Sequence, residues 1–105
     1  MKLDHIALES SNIKRSVDWY CNKWNAKIVY QDKSWAVISI NGTKIAFVTK
    51  GHHPPHIGFN VSDKFLKENL IDNEIKIHRD GSKYLYLKDP DENVIEILNW
   101  NSIID

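Results

Sequence analysis

Cysteine is almost missing from this 105-residue chain, with Cys21 the only one. A single thiol excludes an internal disulfide and with it the scaffolds of small secreted domains. Three prolines and four glycines are too few for a collagen-like or low-complexity chain. Neither charge sign is in excess, since 14 Lys and Arg balance 14 Asp and Glu. A nucleic-acid binder carries a basic face or stripe, and a membrane-surface protein a basic amphipathic helix. Neither pattern is present, so neither partner is expected. No apolar run approaches the roughly 20 residues that span a bilayer. The first residues enter a strand pattern without the cationic and apolar regions of a secretory signal. The cytoplasm is therefore the expected compartment.

Hydrophobic residues make up 42% and charged residues 27% of the chain, which reads as a folded protein rather than a disordered one. The length suits one domain over 1–105 and is short for two ordinary ones. Residues 3–9 alternate in the period of a half-buried strand. Ser10, Ser11 and Asn12 then offer helix-capping oxygens, and Ile13, Val17, Tyr20 and Trp24 recur at helical spacing. Strands are expected at 27–31 and 35–40. Asn41-Gly42 is a strong hairpin signal and leads to a strand at 44–48. Gly51 and Pro54-Pro55 mark a joint. Beyond it the order returns: a strand at 56–61, a short helix at 64–71 capped by Ser62 or Asp63, and strands at 74–78, 83–88 and 94–98. Asp80-Gly81 and the Asp89–Asn93 cluster supply turns.

The chain thus opens the same way twice, with Leu3-Asp4-His5-Ile6-Ala7-Leu8 and again with Pro55-His56-Ile57-Gly58-Phe59. The fold class expected is α+β: two βαβββ modules, about 1–50 and 55–100, whose curved mixed sheets surround a cleft. Side chains alternate between the faces of a strand. If Ile6 and Leu8 pack on a helix, His5 faces away. Ile57 and Phe59 leave His56 facing away, and Ile95 and Ile97 do the same for Glu96. Two imidazoles and one carboxylate form a facial set that leaves coordination positions open for substrate or water. Iron or manganese suits it best, with nickel or zinc as further options. Each residue also has an ordinary reading: a strand histidine can be a satisfied core or rim residue, and Glu96 can pair with a lysine such as Lys44. The matched positions in a repeat favour ligands.

At these residues the chain resembles the vicinal oxygen chelate superfamily of glyoxalases, fosfomycin-resistance proteins and extradiol dioxygenases. The resemblance rests on His5 in LDHIAL, His56 in PHIGF and Glu96 in DPDENVIEIL, and it covers about residues 3–98. It implies paired βαβββ modules, commonly in homodimers, and a divalent metal that chelates vicinal substrate oxygens. It also implies a departure. Glyoxalases and related epimerases usually carry a fourth ligand, Glu or Gln, on the fourth strand, where matching by facing puts Ala46. The remaining three-ligand set is like that of the fosfomycin-modifying transferases and extradiol dioxygenases. Tyr86, just before the DPD turn, resembles the transferases. Ala7 departs from their threonine, and the arginine they place well beyond the last glutamate has no match.

Tyr84 and Tyr86 share the expected cleft face, where phenols can orient a substrate oxygen or act as weak acids or simply form a wall. Ser39 shares a face with Val37 and Trp35. Glu9 lies on the His5 side, as a base or as a solvated strand-end charge. His52, His53 and His78 read as loop and turn residues, and Cys21 as packing. Trp19, Trp24 and Trp100 read as packing or interface residues, because large aromatics favour buried contact patches. A homodimer follows from composition as well as from the resemblance. The function expected is a small metal-dependent enzyme acting on a small molecule, as a lyase or isomerase, a transferase or a dioxygenase. The alternative is a metal-free protein that binds antibiotics of the bleomycin type between aromatic walls, and a third is an accessory subunit with a vestigial site.

Overall fold

The computed structural model describes residues 1–69, 75–78 and 81–99. Among the described residues, eight strands and two helices make it an α+β protein. The first series is β1 (Lys2–Glu9), α1 (Ile13–Trp24), β2 (Lys27–Gln31), β3 (Trp35–Ile40) and β4 (Thr43–Val48). The second is β5 (His56–Asn60), α2 (Asp63–Glu68), β6 (Lys76–Ile77), β7 (Lys83–Lys88) and β8 (Val94–Asn99). The βαβββ order therefore occurs twice. The expected helix end at Ile71, the strand start at Glu74, the turn residue Asp80 and Trp100 lie outside the described residues.

The chain forms two compact units, His5–His56 and Ile57–Asp105 with Met1–Asp4. In the first, the strands run β2-β3-β4-β1. β1 lies parallel to β4, and β3 is antiparallel to both β4 and β2. Asn12 caps α1 by accepting the backbone N–H of Arg15 at 3.0 Å. At the other end Asn25 takes the left-handed conformation, φ 55°, and its N–H closes on the Cys21 carbonyl, a terminus that Gly and Asn favour. Between the caps, α1 buries Ile13 and Val17 against Ala36, Ile38 and Phe47, with Tyr20 and Cys21 alongside. Removing the cap by Asn12→Ala is expected to cost about 1 kcal/mol, read as a lower urea midpoint with an unchanged denaturant slope.

Both hairpins of this unit have chemical causes. Asn41 and Gly42 take φ values of 51° and 89°, the positive angles that a two-residue hairpin turn demands. Between β2 and β3, the Asp32 carboxylate accepts from the Tyr30 hydroxyl and from the backbone N–H groups of Ser34 and Trp35. The Tyr30 hydroxyl, then the Trp35 and Ser34 amides, hold its pKa far below the ordinary 3.8. A carboxylate depressed in the folded state stabilises above its unfolded pKa and loses that contribution as pH falls through the folded value. Asp32→Asn should therefore melt lower than the parent at pH 6. The gap should narrow as a series of thermal melts is carried below pH 4, about the unperturbed aspartate value.

The Ile57–Asp105 unit repeats the scheme in the order β5-β8-β7-β6. β5 is parallel to β8, and β7 is antiparallel to β8 and β6. Ser62 caps α2, its hydroxyl accepting the Phe65 N–H at 3.1 Å. Leu66 on α2 closes a core of Val61, Leu85 and Ile97, flanked by Phe59, Phe65 and Leu87. The turn before β8 is fixed by Asp89, whose Oδ1 accepts the N–H groups of Asp91 and Asn93.

The expectation for Ile6 and Leu8 is met in direction and not in degree. Their register partners Ile45 and Phe47 are on the helix side, so His5, Ala7 and Glu9 face the other way. Yet Ile6 and Leu8 are each 38% exposed. The reason is that α1 lies mainly over β2, β3 and β4, leaving β1 less covered. No helix among the described residues is long and apolar enough to cross a membrane.

Candidate metal centre

In the His5–His56 unit the two histidines meet. His5 is half-buried on β1 and His56 is buried at the first position of β5. Their Nε2 atoms are 3.0 Å apart, with the rings nearly perpendicular at 85°. The Pro54 carbonyl accepts a hydrogen bond of 2.7 Å from His56 Nδ1. Because a carbonyl only accepts, the proton of neutral His56 sits on Nδ1 and its Nε2 presents a lone pair. This is the arrangement of a metal-ligating histidine whose other nitrogen is anchored. The Pro54-Pro55 joint thus does more than separate repeats, since its carbonyl sets the tautomer.

The spacing tests whether a metal fits. Two nitrogens bound at right angles to one ion, each at about 2.1 Å, stand about 3.0 Å apart. The observed separation matches neighbouring corners of a coordination polyhedron, and in the ion's absence it is the length of a hydrogen bond from His5 Nε2–H to His56 Nε2. On the same face, Ala46 pairs with Ala7 and with Val37 and is 6% exposed. Ser39, paired with Lys44, is half-buried on this face, while Glu9 is exposed at the end of β1. His52 and His53 are exposed in the loop before Pro54.

In the other unit Glu96 is 2% exposed. Burying a carboxylate is costly unless hydrogen bonds replace water, and its neighbours supply them. Glu96 pairs in register with Gly58 on β5 and with Tyr86 on β7. The Tyr86 hydroxyl hydrogen-bonds the carboxylate, and His78 Nε2 donates to Glu96 Oε2 at 3.2 Å. The His78 ring stacks on Tyr84 with centroids 3.6 Å apart and planes 10° from parallel. Tyr84 meets Tyr86 edge to face at 5.5 Å. Burial first, then the Glu96 charge, raises the pKa of both phenols. Tyr86 therefore serves as a neutral donor at physiological pH rather than as a base.

Sequence reasoning placed Tyr84, Tyr86 and Glu96 on one face, and the register does so. It missed His78, read as a turn residue. The signal was the β6–β7 hairpin: Lys76 opposes Tyr84 and Ile77 opposes Lys83, and the His78 N–H closes on the Ser82 carbonyl at 2.9 Å. That pairing brings His78 onto the Tyr84 ring. Cys21 packs beside the α1 core as expected, and Trp19 and Trp24 are 49% and 51% exposed.

The twofold βαβββ order, with each module's first strand parallel to its fourth, defines a class of paired-module proteins. The chain belongs to the Glyoxalase/Bleomycin resistance protein/Dioxygenase superfamily, whose family model matches residues 2–97. It is 24% identical to biphenyl-2,3-diol 1,2-dioxygenase 2 of Rhodococcus globerulus over 91% of the chain and 61% of the relative. The chain thus spans about three fifths of that dioxygenase. It is 27% identical to metallothiol transferase FosB of Lysinibacillus sphaericus (strain C3-41), covering 90% of the chain and 79% of the transferase. Among solved structures, methylmalonyl-CoA epimerase from Mycobacterium tuberculosis superposes with a TM-score of 0.72 at 14% identity, over 93% of this chain and 87% of the epimerase. That last likeness is one of fold.

Proposed function

We propose that the protein is a divalent-metal-dependent enzyme in which His5, His56 and Glu96 hold one ion and a small molecule binds through adjacent oxygens. The observation that carries this reading is the pair of Nε2 atoms 3.0 Å apart, with the His56 tautomer set by Pro54. Glu96 is the acid proposed to join the two imidazoles in one donor set. When bound, the ion supplies Lewis-acid polarisation of a substrate oxygen. The chain's own groups do the rest. In the neutral His56 ring the anchored Nδ1–H makes Nε2 the metal-binding nitrogen. Tyr86, its single O–H given to the Glu96 carboxylate, holds that carboxylate in place, and Tyr84 walls the same face.

Ala46 in place of a fourth donor supports three-ligand chemistry of the transferase or dioxygenase kind over that of an epimerase. The names of the two curated relatives agree with this. Manganese or iron is the ion proposed for a nitrogen and oxygen set with open positions. The same reading takes the protein as a cytoplasmic homodimer, in which half-exposed Trp19 and Trp24 on α1 find cover. The test is elemental analysis of tag-free protein at neutral pH. About one transition-metal ion per chain is expected from a single three-residue site. No metal after soaking with manganese or ferrous iron would overturn the reading and leave a binding protein.

A further inference from the structure

We propose that His78 is a positioning residue for Glu96: its Nε2–H fixes one carboxylate oxygen, and its stacking on Tyr84 fixes the ring that donates. The inference rests on the reading of Glu96 as a metal ligand. Three observations in one unit support it. The contact is made to a single oxygen, Oε2, at 3.2 Å. The imidazole is held by a nearly parallel ring at 3.6 Å, and by a backbone hydrogen bond from its own N–H to Ser82. The carboxylate is almost wholly buried, so its orientation depends on side-chain donors rather than on water.

A buried carboxylate on a strand rotates about its last torsion through a broad range. A monodentate ligand needs one oxygen turned toward the ion. A donor on Oε2 and the Tyr86 hydroxyl restrict that rotation before any ion arrives. Partners of this kind, one bond removed from a metal, typically change affinity by about 10- to 100-fold when lost. Tyr84 acquires a role by the same argument, as the surface that holds His78 in place. The acidic–aromatic cluster is thus a built support for Glu96, assembled from β7, β8 and the residue that follows β6.

The experiment compares Mn²⁺ binding by the parent chain with binding by His78→Phe and His78→Gln, using calorimetry and the electron paramagnetic resonance spectrum of the bound ion. Phenylalanine keeps a ring against Tyr84 and removes the donor; glutamine keeps a donor and loses the ring. Far-UV circular dichroism and thermal melts control for folding. His78→Phe is expected to weaken Mn²⁺ binding about 10- to 100-fold and to broaden the spectrum through a less uniform carboxylate. His78→Gln is expected to recover most of the affinity and a spectrum close to the parent's. Parent-like affinity and spectrum in His78→Phe would overturn the positioning role while leaving the metal centre standing. Complete loss of binding in both variants, each folded, would also overturn it, by making His78 a ligand. Absence of Mn²⁺ binding by the parent would overturn the metal reading itself, and this inference with it.

Discussion

His56→Ala is expected to strip the protein of its ion. Binding should weaken by more than about 100-fold, the upper end of what loss of a supporting partner costs, and metal content should fall from about one ion per chain to near zero at micromolar protein. His56 is 8% exposed, its Nδ1 is committed to the Pro54 carbonyl, and its Nε2 lies at cis-ligand distance from His5 Nε2. Alanine removes the lone pair and leaves His5 without its partner. Glu96→Gln is the matched change on the acid side. It keeps the shape, removes the charge that binds a cation and turns one accepting oxygen into a donating NH2. Both variants should retain cooperative thermal unfolding while losing metal, as measured by inductively coupled plasma spectrometry after dialysis. A folded His56→Ala protein with a full complement of metal would show that the histidine pair is packing and nothing more.

Leu66→Ala in the second unit and Ile38→Ala in the first should each destabilise the fold by about 2–5 kcal/mol. Both side chains are fully buried, at 0% exposure. Leu66 closes α2 over Val61, Leu85 and Ile97, and Ile38 lies under α1 with Ala36 and Phe47. In each case the loss combines transfer of the missing carbons with the cavity that remains. For a chain of this length about 1 kcal/mol moves the melting midpoint by roughly 4–8 °C, so calorimetry reads the effect directly. Domains of this size have about 5–15 kcal/mol in hand, so either change removes a large share. A shift of under about 2 °C in either variant would contradict the assignment of that core.

Much of this fold was legible because the repeat writes its own grammar. Asn12 before Ile13, Ser62 before Asp63 and Asn41-Gly42 between strands are local signals, and each fixes an element end in the structure. Alternation sufficed for facing: the register sets Ala7 beside Ala46 and Glu96 beside Tyr86. Alternation is silent on what lies opposite what, because pairing is set by hairpin geometry and not by the strand's own pattern. Hence His78 was read as a turn residue, although β6–β7 pairing brings it to Tyr84 and Glu96. Hence also the tautomer of His56 could not be foreseen, since it depends on where the Pro54 carbonyl points. The exposure of Ile6 and Leu8 has a similar origin. Period 2 identifies the face, and only the placement of α1 decides how well that face is covered.

The central claim, one ion shared by three side chains distant in sequence, is tested most directly by anomalous diffraction from crystals soaked in Mn²⁺. A single strong peak per chain bonded to His5 Nε2, His56 Nε2 and one oxygen of Glu96 is the predicted result. A peak at other residues, or none at His5 and His56 under saturating Mn²⁺ at neutral pH, would contradict the account.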